Sequence, residues 1–293
     1  MAELLTGKEV VENIKNKIGP MLAELQKEGL TPKILIIRVG ARADDLFYER
    51  SLEKTCQNVG LACEILALPE NISQEALQQL VQKESKREDV HGVLLFSPLP
   101  AHLDEKPVVA VIPTEKDVDC LSLVSAGRVY TGEEGFAPCT AKSVMNILAY
   151  YNIALLGKKV VVVGRSLVVG KPLAMLLLAK NATVTICHSH TVDLPAVCRA
   201  ADILIVAIGK AKMIDASYVS PGQVVIDVGT NVDPDNPGGY CGDVDFASVE
   251  PVVHKITPVP GGVGAVTTAR LCLHVVQACF KLKDKNKNIY KNI

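Results

Sequence analysis

Four consecutive valines, Val160 to Val163, lead directly into Gly164-Arg165-Ser166, and a second glycine, Gly170, precedes Lys171-Pro172 and a new apolar stretch. A short continuous run of β-branched residues fits a strand covered on both faces, the environment of a parallel sheet flanked by helices. Proline just inside the next stretch fits the first turn of a helix, where its missing N–H costs nothing. A strand, a glycine turn and a helix N-terminus together make an anion site, because unpaired backbone N–H groups and the positive helix end point at one spot. The spacing is Gly-x5-Gly rather than Gly-x-Gly-x-x-Gly, so the loop alone leaves a dinucleotide site and a plain β–α turn both open. The strand-to-helix context favours the dinucleotide.

The next apolar run, residues 183–187, ends in Cys187-His188-Ser189-His190 without a carboxylate. An acid at that point would bind the ribose 2′-hydroxyl of NAD and repel a 2′-phosphate. Arg165 and Ser166 in the first turn would hold one. The pattern therefore predicts NADP as cofactor, with NAD possible. His188 and His190 read equally as ordinary exposed loop histidines. A metal site is not expected from them, because no third ligand of suitable spacing accompanies the pair.

The same alternation runs through the whole chain. Residues 8–27, 44–59 and 73–86 read as helices, and 33–39, 62–68 and 92–96 as strands. Residues 107–138 show little periodicity. A second series follows, with helices at 141–150 and 172–179 and strands at 159–163, 183–187, 202–206 and 223–227. This is an α/β protein of two domains, residues 1–140 and 141–267, with a helix at about 268–285 packing back onto the first. The lysine-rich tail, 281–293, is expected to fray.

With 31 basic and 32 acidic side chains, the net charge of −1 removes bulk electrostatics as an argument for nucleic acid or anionic membrane. Aromatic content of 4% with no Trp supplies no stacking platform for bases. No apolar run approaches the roughly 18–20 residues of a membrane span, and the opening residues do not read as a secretory signal. Nine cysteines, none in Cys-x-x-Cys, point to a reducing, cytoplasmic setting with free thiols. A second glycine cluster, Thr257-Pro258-Val259-Pro260-Gly261-Gly262-Val263-Gly264, is either a linker or a ligand-facing loop, and its apolar flanks favour the second.

Taken together, several segments resemble the bifunctional methylenetetrahydrofolate dehydrogenase/methenyltetrahydrofolate cyclohydrolase (FolD-like) family. They are Val90-His91-Gly92, residues 115–119, Pro138-Cys139-Thr140, 161–166, 181–185 with Cys187-His188-Ser189, Asp227-Val228-Gly229, Gly242-Asp243-Val244 and 257–264. The resemblance implies an N-terminal α/β folate domain and a Rossmann-type dinucleotide-binding domain, in a homodimer joined through the latter. It implies oxidation of 5,10-methylenetetrahydrofolate with NAD(P), followed by hydrolysis of the methenyl product. It also implies that Gly164, Arg165, Ser166, Ser189 and Thr230 contact the dinucleotide. Tyr48 and Asp119 would meet the pterin as catalytic or substrate-binding groups, and Pro260, Gly261 and Gly262 would line the folate site.

The chain departs from the family pattern on the folate side. The family's catalytic helix carries Tyr-x-x-x-Lys, whose i, i+4 spacing puts both side chains on one face. Here Tyr48 is kept and Leu52 stands in the lysine position. Lys54 falls about 240° round from Tyr48 and Arg50 about 200°, so neither replaces it. The family's Gln-x-Pro-Leu-Pro reads Phe96-Ser97-Pro98-Leu99-Pro100, and the glycine after Asp119 is Cys120. Loss of both polar groups predicts weak or absent cyclohydrolase with the dehydrogenase kept. The competing expectations are an oxidoreductase of altered substrate on the same scaffold, and a non-catalytic dinucleotide or folate binder.

Overall fold

The computed structural model describes residues 1–236 and 238–291, with side chains as far as residue 284. The chain opens with β1 (Glu3–Leu4) and α1 (Gly7–Lys27), followed by β2 (Lys33–Val39), α2 (Ala43–Val59), β3 (Ala62–Leu68), α3 (Gln74–Ser85) and β4 (Gly92–Leu95). Two shorter helices come next, α4 (Glu105–Ala110) and α5 (Leu123–Thr131). The second series is α6 (Cys139–Tyr150), β5 (Lys159–Val163), α7 (Gly170–Leu178), β6 (Thr183–Cys187), α8 (Leu194–Arg199), β7 (Ile203–Val206) and β8 (Val224–Asp227). It closes with β9 (Asn231–Val232), β10 (Tyr240–Cys241), α9 (Phe246–Val249), β11 (Lys255–Ile256) and α10 (Val263–Lys291).

Contacts divide the chain into two compact units. One is Asn13–Ala137 with the residues from Thr268 onward; the other is Met1–Glu12 with Pro138–Thr267. The opening residues thus differ from the expectation that 1–140 forms one domain. The cause is β1, which pairs in parallel with β11 through Glu3↔Lys255 and Leu4↔Ile256. Strands of two residues carry no readable period, so the sequence hides this pairing.

In the unit built around residues 13–137, the parallel strands run in the order β3-β2-β4. Residues 34–37 of the central strand β2 are each exposed by 1% or less, which is why they read as an unbroken apolar run. Burying each such side chain is worth roughly 1.5–3 kcal/mol. Helices α4 and α5 lie in the stretch that showed no clear period. Their starts are set by capping: Asp104 accepts the Lys106 N–H at 3.1 Å, and Ser122 Oγ accepts the Ser125 N–H at 3.2 Å.

In the other unit the strands run β1-β11-β8-β7-β5-β6, and the neighbours in this sheet pair in parallel. The chain passes from β5 to β6 on one side and then returns to place β7 on the other. That reversal opens a crevice beyond the carboxyl ends of β5 and β7, where ligands of open α/β sheets bind.

Within α10, the stretch Val263–Asp284 is long and apolar enough to cross a membrane, unlike the expectation that no segment comes near this, yet 61% of its apolar 18-residue window is buried inside the protein. That is the composition of a core helix. The backbone stays helical to Lys291 where composition predicts fraying, and Asn292 and Ile293 lie outside the described residues.

Candidate functional site

The carboxyl end of β5 builds the first part of the site. Gly164 adopts φ +128°, and a Cβ there would lie 2.2 Å from the carbonyl oxygen of Ala207. A Cβ on Gly170 would lie 2.1 Å from the Gly164 carbonyl oxygen. The two glycines therefore let the β5–α7 turn close against the loop that follows β7, which accounts for the Gly-x5-Gly spacing. Ser166 Oγ accepts the Val169 N–H at 3.1 Å within the turn that leads into α7.

Beside this turn lies a cavity of about 290 Å³ whose lining includes Gly164, Arg165, Ser166, His188, Ser189 and Lys210. No carboxylate is among the lining residues. His188 Nδ1 accepts the His190 N–H at 3.2 Å, which leaves Nε2 to carry the proton of the neutral ring. His188 thus faces the cavity while His190 is an exposed loop residue. Lys210 was not legible as a site residue, since it follows β7 with no motif of its own. The strand order is the clue that would have found it, because the β7 loop opens on the same crevice as the β5 loop. Thr230 is not in this lining; its Oγ1 lies 3.9 Å from where a Cβ on Gly264 would stand.

The second group lies on α2 and at the end of β4. Tyr48 is 37% exposed, whereas Leu52, one turn on, is fully buried. Phe96 is 7% exposed, and its ring packs at 5.4 Å between centroids, tilted by 37°, against that of Tyr48. Lys54 and Arg50 are exposed, off the buried face that carries Asp45, Glu49, Leu52 and Cys56. Half of this buried face is acidic. Glu49 is buried because Arg38 on β2 reaches it, Nε to Oε2 at 2.7 Å, and also donates to the Gly40 carbonyl.

Asp119 sits, half-buried, in a tightly held loop. The fully buried Asp117 carboxylate accepts the N–H groups of Leu121 (2.8 Å) and Ser122 (3.0 Å) and the Ser125 hydroxyl (2.6 Å). On the other flank the Val118 carbonyl meets His274 Nδ1 at 2.7 Å, while Arg270 Nε donates to His274 Nε2 at 3.0 Å, which makes Nδ1 the protonated nitrogen. Between these clamps Cys120 is held at φ +56°, a left-handed conformation that costs a non-glycine residue about 1–2 kcal/mol. Burial pushes its thiol up to about 12, so it is no nucleophile.

The loop 257–264 is anchored rather than slack. The Gly7 N–H donates to the Gly261 carbonyl at 2.7 Å, and buried Thr257 Oγ1 accepts the Asp227 N–H at 2.8 Å. Pro260 and Gly261 are exposed, and Gly262 is buried, with a Cβ there falling 2.4 Å from the Pro258 carbonyl oxygen.

Against known proteins, residues 5–119 match the tetrahydrofolate dehydrogenase/cyclohydrolase catalytic domain, and residues 138–283 match the NAD(P)-binding domain of the same family. The chain is 58% identical over 280 residues to the bifunctional protein FolD of Carboxydothermus hydrogenoformans, covering 95% of this chain and 98% of that protein. It superposes on the crystal structure of the bifunctional FolD dehydrogenase/cyclohydrolase from Campylobacter jejuni with a TM-score of 0.93 at 36% identity, covering 96% and 99% of the two chains. A FolD from Trypanosoma brucei, solved with NADP and an inhibitor, superposes with a TM-score of 0.88 at 36% identity, covering 96% and 97%.

Proposed function

Because the chain belongs to the tetrahydrofolate dehydrogenase/cyclohydrolase family, we propose that it oxidises 5,10-methylenetetrahydrofolate to the 5,10-methenyl form with NADP, and that its cyclohydrolase activity is weak or lost. The observation that carries the second half is the buried pair Leu52 and Phe96 beside Tyr48, where the family has Lys and Gln.

The residues of the β5 cavity fit a phosphorylated dinucleotide. Gly164 leaves the close approach a Cβ would block, and Arg165, Ser189 and Lys210 offer donors with no opposing carboxylate. When bound, NADP supplies a hydride acceptor. Arg165, Ser166 and Ser189 would hold it, with Thr230 farther along the same unit. Tyr48 and Asp119 would receive the pterin, and Pro260, Gly261 and Gly262 would border the folate.

The two reactions ask different things of the protein. In the oxidation, the bridging methylene carbon loses a hydride while a ring-nitrogen lone pair forms the new C=N bond. No proton moves, so placement of the carbon carries the step. In the hydrolysis, water adds to that carbon, loses a proton, and a C–N bond breaks as the departing nitrogen is protonated. Those transfers need a positioned acid/base, worth roughly 10²–10⁴ in rate. Leu52 and Phe96 can hold no proton.

A coupled assay tests this reading: NADPH formation from methylenetetrahydrofolate, then decay of the methenyl product. NADPH formation with persistent methenyl is expected. Methenyl hydrolysis as fast as the oxidation would refute the second half, and binding of both ligands without turnover would refute the first. A homodimer joined through the Rossmann units, in the cytoplasm, belongs to the same proposal. The edge strand β6, whose Thr183, Thr185 and Ile186 are exposed, supports the dimer, and sedimentation at equilibrium checks it.

A further inference from the structure

Two motifs of the NAD(P)-binding unit, Asp227-Val228-Gly229 and Gly242-Asp243-Val244, have no part in the chemistry above, yet both aspartates are buried, at 3% and 0% exposure. Their hydrogen bonds explain the motifs residue by residue. Asp243 Oδ2 accepts the N–H groups of Ile208 (2.7 Å) and Gly209 (3.1 Å), and Oδ1 accepts the Lys210 N–H (2.8 Å) and the Asn231 side-chain amide (2.9 Å). Three successive backbone N–H groups beyond the end of β7 thus converge on one carboxylate, the arrangement of an anion nest filled by the protein's own acid.

Asp227 holds this clamp in turn. Its Oδ1 accepts the Asp243 N–H (3.0 Å) and the Gly229 N–H (2.9 Å), and its Oδ2 accepts the Val244 N–H (2.9 Å). Both glycines are the gaps that the carboxylates fill. A Cβ on Gly242 would stand 1.7 Å from Asp227 Oδ2, and one on Gly229 would stand 2.4 Å from Asp243 Oδ1. The loop so fixed is the one that walls the β5 cavity, through Ala207, Ile208 and Lys210.

We infer that Asp243 is a positioning residue for dinucleotide binding: by gathering the N–H groups of residues 208–210 it sets that wall of the cavity and the base of the Lys210 side chain, and Asp227 acts through it. The inference rests on the assignment of the cavity to NADP. Neither aspartate need touch the cofactor. A purely structural role would instead lower the amount of folded enzyme and leave the affinity of what remains unchanged.

Titration of the full-length enzyme with NADPH, read by calorimetry, together with separate KM values for NADP and methylenetetrahydrofolate, tests this. Asp243→Asn puts an N–H₂ where two donors need an acceptor, and should raise the NADPH Kd and the NADP KM at least tenfold. The folate KM should stay within about twofold, and kcat at saturating NADP within about threefold. Asn231→Ala removes one partner of the carboxylate from a half-buried position and should shift the same constants two- to fivefold. If Asp243→Asn does not fold, Asn231→Ala decides. A folded variant with wild-type NADPH affinity, or one in which both KM values move together, overturns the inference. Wild-type enzyme that fails to bind NADPH at all would refute the cavity assignment instead.

Discussion

Restoring the two family side chains, as Leu52→Lys with Phe96→Gln, should return methenyl hydrolysis to the enzyme. Leu52 is fully buried, and its replacement gives up roughly 1.5–3 kcal/mol of apolar burial. Phe96→Gln gives up a similar burial of roughly 1.5–3 kcal/mol and, beyond it, the ring contact with Tyr48, worth about 0.5–1.5 kcal/mol. The total, about 3.5–7.5 kcal/mol, is a large share of the ~5–15 kcal/mol stability of a typical domain, so a thermal melt must accompany the assay. The new amine would lie on the face that carries Glu49, one turn away, whose carboxylate already serves Arg38. Burial lowers an amine's pKa, which brings it toward the range a general base needs. The expected gain in hydrolysis is about 10²–10⁴-fold, equivalent to roughly 3–5 kcal/mol of barrier. Single-turnover decay of methenyltetrahydrofolate measures it. Phe96→Gln alone should give almost nothing, since no lysine is there to assist, and the two changes together should exceed the sum of the singles. A double variant that folds, still forms NADPH and hydrolyses no faster would refute the reasoning.

Other outcomes follow from the same geometry. Glu49→Leu leaves the Arg38 guanidinium buried without its partner and should cost about 3–5 kcal/mol in urea unfolding, whereas Arg38→Met with Glu49→Leu should recover most of that loss. Arg165→Ala should raise the NADP KM by about tenfold or more, the worth of one charge-assisted contact, and change the NAD KM far less; equal shifts for both would remove Arg165 from the 2′-phosphate. Desolvation, helped by the nearby Asp243 charge, raises the Asp227 carboxyl to about 7 against three backbone N–H bonds that lower it. A raised folded-state pKa means the folded protein binds the extra proton, so this stabilisation is complete below about pH 4 and is lost as pH rises through about 7. Melting temperatures across that window should fall more steeply for wild type than for Asp227→Asn, and parallel profiles would contradict the assignment.

Runs covered on both faces were legible from the sequence because parallel strands in a two-sided sheet must be apolar at every position. Residues 33–39 and 159–163 are such strands in the structure with those same bounds, and the edge strands 62–68 and 183–187 also keep theirs although they are partly exposed and carry polar residues. The glycine turn after β5 was legible for a related reason, since only glycine tolerates the backbone oxygens that crowd residues 164 and 170. The apolar residues at Leu52 and Phe96 were likewise plain, because spacing along one helix and along one strand end is a local property.

What the sequence by itself determined was therefore local: the strands, the helices with strong periods, the glycine turn after β5 and the apolar residues at positions 52 and 96. Only the tertiary structure decided which distant groups meet. It assigned β1 to the second unit through pairing across some 250 residues, brought Lys210 to the cavity of Arg165, joined Arg38 to Glu49 and closed Asp243 over the 208–210 loop. Each of these joins segments whose own sequences are silent about it. A carboxylate's partner depends on which donors the fold leaves unpaired within about 3 Å, and that is settled when the sheets assemble.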